Sequence, residues 1–146
     1  MEFRLLGPVE VEADGRLIPV GRRQPRTLLA VLLLEANRVV SRERLFEALW
    51  VESPPERAAN TLQVYVSQLR RSLGRDLIAT RPPGYLIQID QGLLDLQRFQ
   101  LLVSEARDQD PEGAAATLRE ALSLWRGPPL AGLSPAGAEA RVRTHT

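Results

Sequence analysis

The chain contains no cysteine. That one absence removes disulfides, thiol nucleophiles and cysteine-based zinc sites together. Its single histidine, His145, lies beside the C-terminus in a polar stretch, so imidazole metal sites and Ser-His or Cys-His catalysis have almost nothing to build on. No carboxylate occupies an apolar sequence setting of the kind that raises a pKa, which leaves acidic-pair chemistry without a visible seat. These gaps argue against an enzyme, and the residues call for no cofactor and no metal. The N-terminus, MEFRLLGPVEV, has no basic segment leading into a long apolar run and reads as lacking a signal peptide. The longest apolar run, Leu28 to Leu34, is too short to span a bilayer. The expectation is a cytoplasmic chain with no membrane partner.

What is present fits a globular protein. With 146 residues, 44% hydrophobic and 25% charged, the chain can form one full domain, or one domain and part of another. Net charge is only +1, and all 19 basic residues are arginine. Their distribution says more than their sum. Arg16, Arg22, Arg23, Arg26, Arg38, Arg42 and Arg44 share their stretch with only Glu35 and Glu43, and Arg57, Arg70, Arg71, Arg75 and Arg81 share theirs with only Asp76. The acids gather at Glu2–Asp14, at Glu47–Glu56 and after Asp90. Local basic clusters in a nearly neutral chain suit a surface that meets phosphates on one side; scattered solvated arginines give the same pattern.

Residues 3–20 alternate as short strands: Phe3 and Leu5, then Val9 and Val11 beyond Gly7-Pro8, with Asp14-Gly15 as a strong turn before Leu17–Val20. Helix one is expected from Pro25 to Asn37, the latter a residue that tolerates a left-handed conformation. TLLAVLLLEA is apolar nearly all round, which places this helix at the centre of a domain. Arg22, Arg23 and Arg26 stand at its N-terminal approach, where backbone N–H groups favour an anion. Val39-Val40 makes a strand of two residues at most. Ser41 then caps helix two, with Glu43 in its first turn and Leu45, Phe46 and Leu49 as its buried stripe. That helix closes at Leu49-Trp50, where Trp50 reads as a core anchor. The Pro-rich acidic connection VESPPE follows, with Ser53 and Glu56 at capping-box spacing.

Glu56 to Gly74 forms helix three, the stretch around which the rest is arranged. At about 100° per residue, Ala58, Leu62, Tyr65, Val66, Leu69 and Leu73 fall on one side. The opposite pole carries Asn60, Val64, Ser67 and Arg71, flanked by Arg57, Gln63 and Gln68, with no acid between Arg57 and Arg71. Amides and guanidinium suit bidentate contacts to adenine and guanine edges, and a valine can pack on a thymine methyl. An ordinary solvated helix face is the plainer reading, and the order of elements decides between them. Strands at Leu77–Thr80 and Tyr85–Ile89 surround Arg81-Pro82-Pro83-Gly84, so helix, helix, helix and β-hairpin follow a small sheet. That is a helix-turn-helix with a wing, in which helix three enters the major groove and Arg81 reaches the flanking groove.

The stretches LLGPVEV, RQPRTLLAVLLLEANRVVSRERLFEALW, NTLQVYVSQLRRSLG and TRPPGYLI resemble, in order, the OmpR/PhoB-type winged helix in the form found in SARP-type antibiotic regulatory proteins. The resemblance implies an α+β winged helix-turn-helix over residues 1–90. Its parts are an N-terminal antiparallel sheet, three helices and a C-terminal hairpin wing. It further implies a transcriptional activator binding direct repeats of double-stranded DNA near a −35 region, as a homodimer on DNA, and recruiting RNA polymerase through its sigma factor. Carried over by position, Asn60, Gln63, Val64, Ser67 and Arg71 are base contacts. Thr61, Gln68 and Arg70 lie where relatives make backbone or base contacts and are taken as backbone contacts, together with Arg22, Arg23, Arg26, Ser41 and Arg42, which the order of elements places against the phosphates. Arg81 takes the wing position, and Trp50, Val51, Glu52, Ser53 and Glu56 match a polymerase-facing loop. Several relatives carry Arg or Lys where this chain has Gln63, Ser67 and Gln68, so base preference does not transfer.

Leu94–Gln109 and Pro111–Trp125 read as two further helices, with Asp110 as cap. LREALSLWRGPPLAGL resembles the start of a bacterial transcriptional activation domain, an all-α bundle of tetratricopeptide-like helix pairs, here over residues 91–146. Two helices cannot close such a solenoid alone, and SPAGAEARVRTHT has little apolar content. The expectation is a truncated form of the domain, or a segment that packs on the winged helix. No Gly-rich phosphate loop is present, so the ATPase module of larger relatives is not expected. The alternative function is a protein-interaction module that docks RNA polymerase or a partner regulator through the acidic loop or the helix pair, without strong DNA binding of its own.

Overall fold

Helix α1 (Arg23–Leu34) runs through the middle of the computed structural model, which describes residues 1–130. Leu28, Leu29, Leu32 and Leu33 are fully buried in it. The tail beyond Leu130, including His145, lies outside the described residues. Helix α1 begins two residues before the expected Pro25, because a proline third in the helix still sits where an N–H would have no intrahelical partner. Regular helix stops at Leu34, and a tighter turn carries the chain to Asn37, which takes the left-handed conformation at φ 65.

Before α1, strands β1 (Glu2–Arg4), β2 (Glu10–Ala13) and β3 (Arg16–Leu17) form an antiparallel sheet in that order, with Phe3 opposite Val11. Asp14 and Gly15 both have positive φ, as the tight two-residue turn between β2 and β3 requires. Phe3 and Val11 point into the core, whereas Arg4 bridges Glu2, Glu10 and Glu12 on the outer face.

After α1 come β4 (Val40–Ser41), α2 (Arg42–Leu49), α3 (Ala58–Leu73), β5 (Ile78–Arg81) and β6 (Gly84–Ile87). Ser41 caps α2 as expected, accepting from the Arg44 N–H at 3.2 Å. Ser53 does not cap α3. The pair Pro54-Pro55 forces extended backbone on the residues before them, and the helix starts only at Ala58. The wing is wider than a hairpin, because β4 pairs with β6 and gives a three-stranded sheet ordered β4-β6-β5. Gly84 lies opposite Ser41, and a Cβ there would come within 1.8 Å of the Val40 carbonyl oxygen. Asn37 extends the same sheet. Its N–H donates to the Ile87 carbonyl, its side-chain amide donates to the Ile89 carbonyl, and its Oδ1 accepts from the Ile89 N–H.

Helices α4 (Asp95–Arg107) and α5 (Pro111–Ser123) form the expected pair, with Asp110 capping α5 through the Gly113 N–H. Phe99 and Trp125 meet edge to face, their centroids 5.4 Å apart. The pair packs on the N-terminal sheet, and its buried Leu94, Leu96, Phe99 and Ala121 belong to the same core as α1. The expectation that no carboxylate meets an apolar setting fails at Asp95, which is 5% exposed. Its two oxygens accept from the Leu5 N–H at 2.8 Å and the Leu6 N–H at 3.1 Å, just past the end of β1. Burial pushes its carboxyl above the ordinary range, against those two donors and Arg126, which pull it down. Arg126 closes the junction from outside, donating to the Pro8 carbonyl at 2.8 Å and pairing with Glu10 at 3.0 Å. The flanking Leu93, Leu94 and Leu96 were the sequence signal for a buried Asp95.

Gly84→Ala should cost about 1–3 kcal/mol or more by driving β4 off β6, measured as a lowered urea midpoint with fast amide exchange at residues 84–87. Asp95→Asn leaves one of the two N–H groups without an acceptor and should cost about 1–3 kcal/mol. Because the folded carboxyl titrates above its ordinary 3.8, its own contribution to stability is full below that value and is lost as pH rises through the raised one. The stability gap between wild type and Asp95→Asn should therefore narrow with rising pH in urea unfolding at stepped pH.

Candidate nucleic-acid interface

Helix α3 is held from one side and bare on the other. Ala58, Leu62, Val66, Leu69 and Leu73 are buried, with Tyr65 half-buried beside them. Asn60, Gln63, Val64, Ser67, Gln68 and Arg71 are exposed, and Thr61 is half-buried. Val64 is 50% exposed, leaving a branched apolar group in the middle of a polar face. The helix ends where Gly74 turns to φ 113.

A cleft of about 800 Å³ runs between the C-terminal half of α3 and the approach to α1. Arg22, Arg23, Tyr65, Gln68, Arg71 and Ser72 help to line it, so arginines far apart in the chain meet along one groove. Its walls carry no acid. Among the described residues the ion pairs use Arg4, Arg38, Arg44 and Arg126, which leaves Arg22, Arg23, Arg26, Arg42, Arg57 and Arg71 without an acidic partner. Unneutralised guanidinium groups beside a groove are an anion-seeking surface.

The remaining candidates fall into two places. Ser41 and Arg42 stand at the base of the wing, where the Arg42 N–H donates to the Pro83 carbonyl at 3.1 Å, and Arg81 is exposed at the wing tip. Arg70 differs from its neighbours: its Nε and Nη2 both donate to the Ile78 carbonyl, and Nη2 donates to Thr80 Oγ1. Nothing in the local periodicity of α3 announces that link. In the loop, Val51, Glu52, Ser53 and Glu56 are exposed, Val51 by 72%. Trp50 is the core anchor expected of it, stacked 6.4 Å from Tyr65 and tilted against Phe46. It fixes the loop's start and is not free within it.

Residues 21–87 match the family described as "Transcriptional regulatory protein, C terminal", and residues 94–146 match the "Bacterial transcriptional activator domain". In the order of these two domains and in its relatives the chain is similar to the SARP-type transcriptional regulators. Its matched domains and relatives are regulators and not enzymes. It is 37% identical over 144 residues to the transcriptional regulatory protein MoaR1 of Mycobacterium tuberculosis, covering 91% of this chain and 46% of that protein. It is 38% identical over 149 residues to the regulatory protein AfsR of Streptomyces coelicolor, covering 98% of this chain and 15% of that one. The structure of Mycobacterium tuberculosis EmbR in complex with a low-affinity phosphopeptide superposes with a TM-score of 0.88 at 36% identity, over 98% of this chain and 41% of EmbR. The chain thus spans less than half the length of these relatives. The winged helix followed by a tetratricopeptide-like pair is the fold that EmbR shares with it over that span. Among the described residues no helix is long and apolar enough to cross a membrane.

Arg22→Ala, Arg23→Ala and Arg71→Ala should each leave unfolding free energy within about 0.5 kcal/mol of wild type, since none makes an ion pair and all are exposed. A larger loss in thermal or urea unfolding would mean that these arginines serve the fold and not the groove.

Proposed function

We propose that the chain is a sequence-specific double-stranded DNA-binding transcriptional activator. Residues 1–90 would meet DNA, and the α4–α5 pair would pack behind them. The observation that carries this reading is the acid-free groove in which Arg22 and Arg23 of the α1 approach face Gln68 and Arg71 of α3. Asn60, Gln63, Val64, Ser67 and Arg71 read base edges in the major groove. Arg22, Arg23, Arg26, Ser41, Arg42, Thr61 and Gln68 hold the phosphates, and Arg81 enters the flanking groove. Two copies on direct repeats near a −35 region, in the cytoplasm, recruit RNA polymerase through the sigma factor. The exposed, acidic Val51–Glu56 loop is the contact surface.

That same loop supports a second reading, a module that docks the polymerase without strong DNA binding, since its exposed Val51 and two free carboxylates offer an anchor and charge to a basic partner. Titrating a double-stranded DNA pool at two salt concentrations separates them. The DNA reading expects affinity to fall steeply with salt as counterions are released. An affinity indifferent to salt, with polymerase still captured, would favour the docking module. Arg71→Ala should weaken specific binding by about 1–3 kcal/mol and relax one base position; an unchanged ratio of specific to non-specific affinity would remove Arg71 from the base-reading set.

A further inference from the structure

We propose that Arg70 is a positioning residue that clamps the wing to α3 and so sets where Arg81 stands, and that it is not itself a phosphate contact. This rests on the DNA-binding reading above. Two of the three guanidinium nitrogens are already engaged: Nε reaches the Ile78 carbonyl at 3.0 Å, and Nη2 reaches the same oxygen at 2.8 Å and Thr80 Oγ1 at 3.0 Å. Both acceptors lie on β5, the edge strand of the wing sheet, and Thr80 is the neighbour of Arg81. Arg70 is half-buried, whereas Arg71, one step round the helix, is exposed and free of ion pairs.

The backbones of α3 and β5 otherwise approach each other little. Buried Ile78 shares the core with Leu69 and Leu73, but apolar burial is non-directional and leaves the strand free to slide. Three hydrogen bonds from one planar group set the lateral position that burial does not. Only a guanidinium supplies that fork. A lysine keeps the charge at Arg70 but cannot donate from two fixed directions. Charge and clamp are therefore separable by substitution.

The full chain is used to select a duplex from a random-sequence pool, and that duplex is the probe. Affinities are compared for wild type, Arg70→Ala, Arg70→Lys, Arg81→Ala, Thr80→Val and the Arg70–Arg81 double variants. The clamp predicts that Arg70→Lys loses as much as Arg70→Ala, roughly tenfold, the equivalent of one charge-assisted contact. In the Arg81→Ala background the same changes should cost no more than about twofold, because the two residues act through one contact. Thr80→Val, which removes a single bond and spares the fold, should give a smaller loss of the same kind. In the DNA-free chain, amide exchange at residues 78–87 should accelerate in Arg70→Lys while α1 stays protected. Restoration by lysine, losses that multiply with Arg81→Ala, or unchanged exchange in the wing would each overturn the clamp. A wild-type chain that retains no duplex at all removes the DNA reading itself, and with it the role given to Arg81.

Discussion

Leu28, Leu29, Leu32 and Leu33 leave α1 without a water-facing stripe, and a helix in that condition must be surrounded on every side. It is: α2 and α3 pack on it, and β6 of the wing lies against it. Each fully buried leucine contributes about 1.5–3 kcal/mol of transfer free energy, so the placement of all three neighbours is coupled to one apolar cylinder. The polar face of α3 is the consequence. Once Leu62, Val66 and Leu69 are committed to α1, Asn60, Val64, Ser67 and Arg71 have only solvent or a ligand to face.

The same geometry explains why arginines that are distant in sequence act together. The approach to α1 runs past the C-terminal half of α3, so Arg22 and Arg23 line one groove with Arg71. Acids are found elsewhere, on the outer face of the N-terminal sheet with Arg4 and at Glu35 with Arg44. A near-neutral net charge therefore conceals a surface with a basic side. The helix pair is fastened to the N-terminal sheet, through Asp95 at the end of β1 and Arg126 beside it. That junction merges the pair's core with that of the winged helix, and its orientation relative to α3 is set by the fold and not by a linker.

Local chemistry was legible where one stretch of chain contains the whole cause. The two faces of α3 follow from a 3.6-residue period, the β2–β3 turn from Asp14-Gly15, the α2 cap from Ser41 and the left-handed step from Asn37. The resemblance to SARP-type regulators rested on the same stretches in the same order. One local reading failed for a local reason: Ser53 has the spacing of a capping residue, yet Pro55 holds Pro54 extended, so no helix can start directly behind Ser53.

Three features have partners that only the tertiary structure supplies. Val40-Ser41 becomes part of the wing because Gly84 lets two backbones approach without a Cβ between them. Asp95 is buried because Leu5 and Leu6, 90 and 89 residues away, offer it two N–H groups. Arg70 turns to the wing because an edge-strand carbonyl stands within its reach. The sequence by itself determined which side chains are apolar, which are charged and with what period they repeat. Which backbone oxygen meets which guanidinium was decided by folding, since main-chain donors and acceptors are alike at every residue and only their final positions distinguish them.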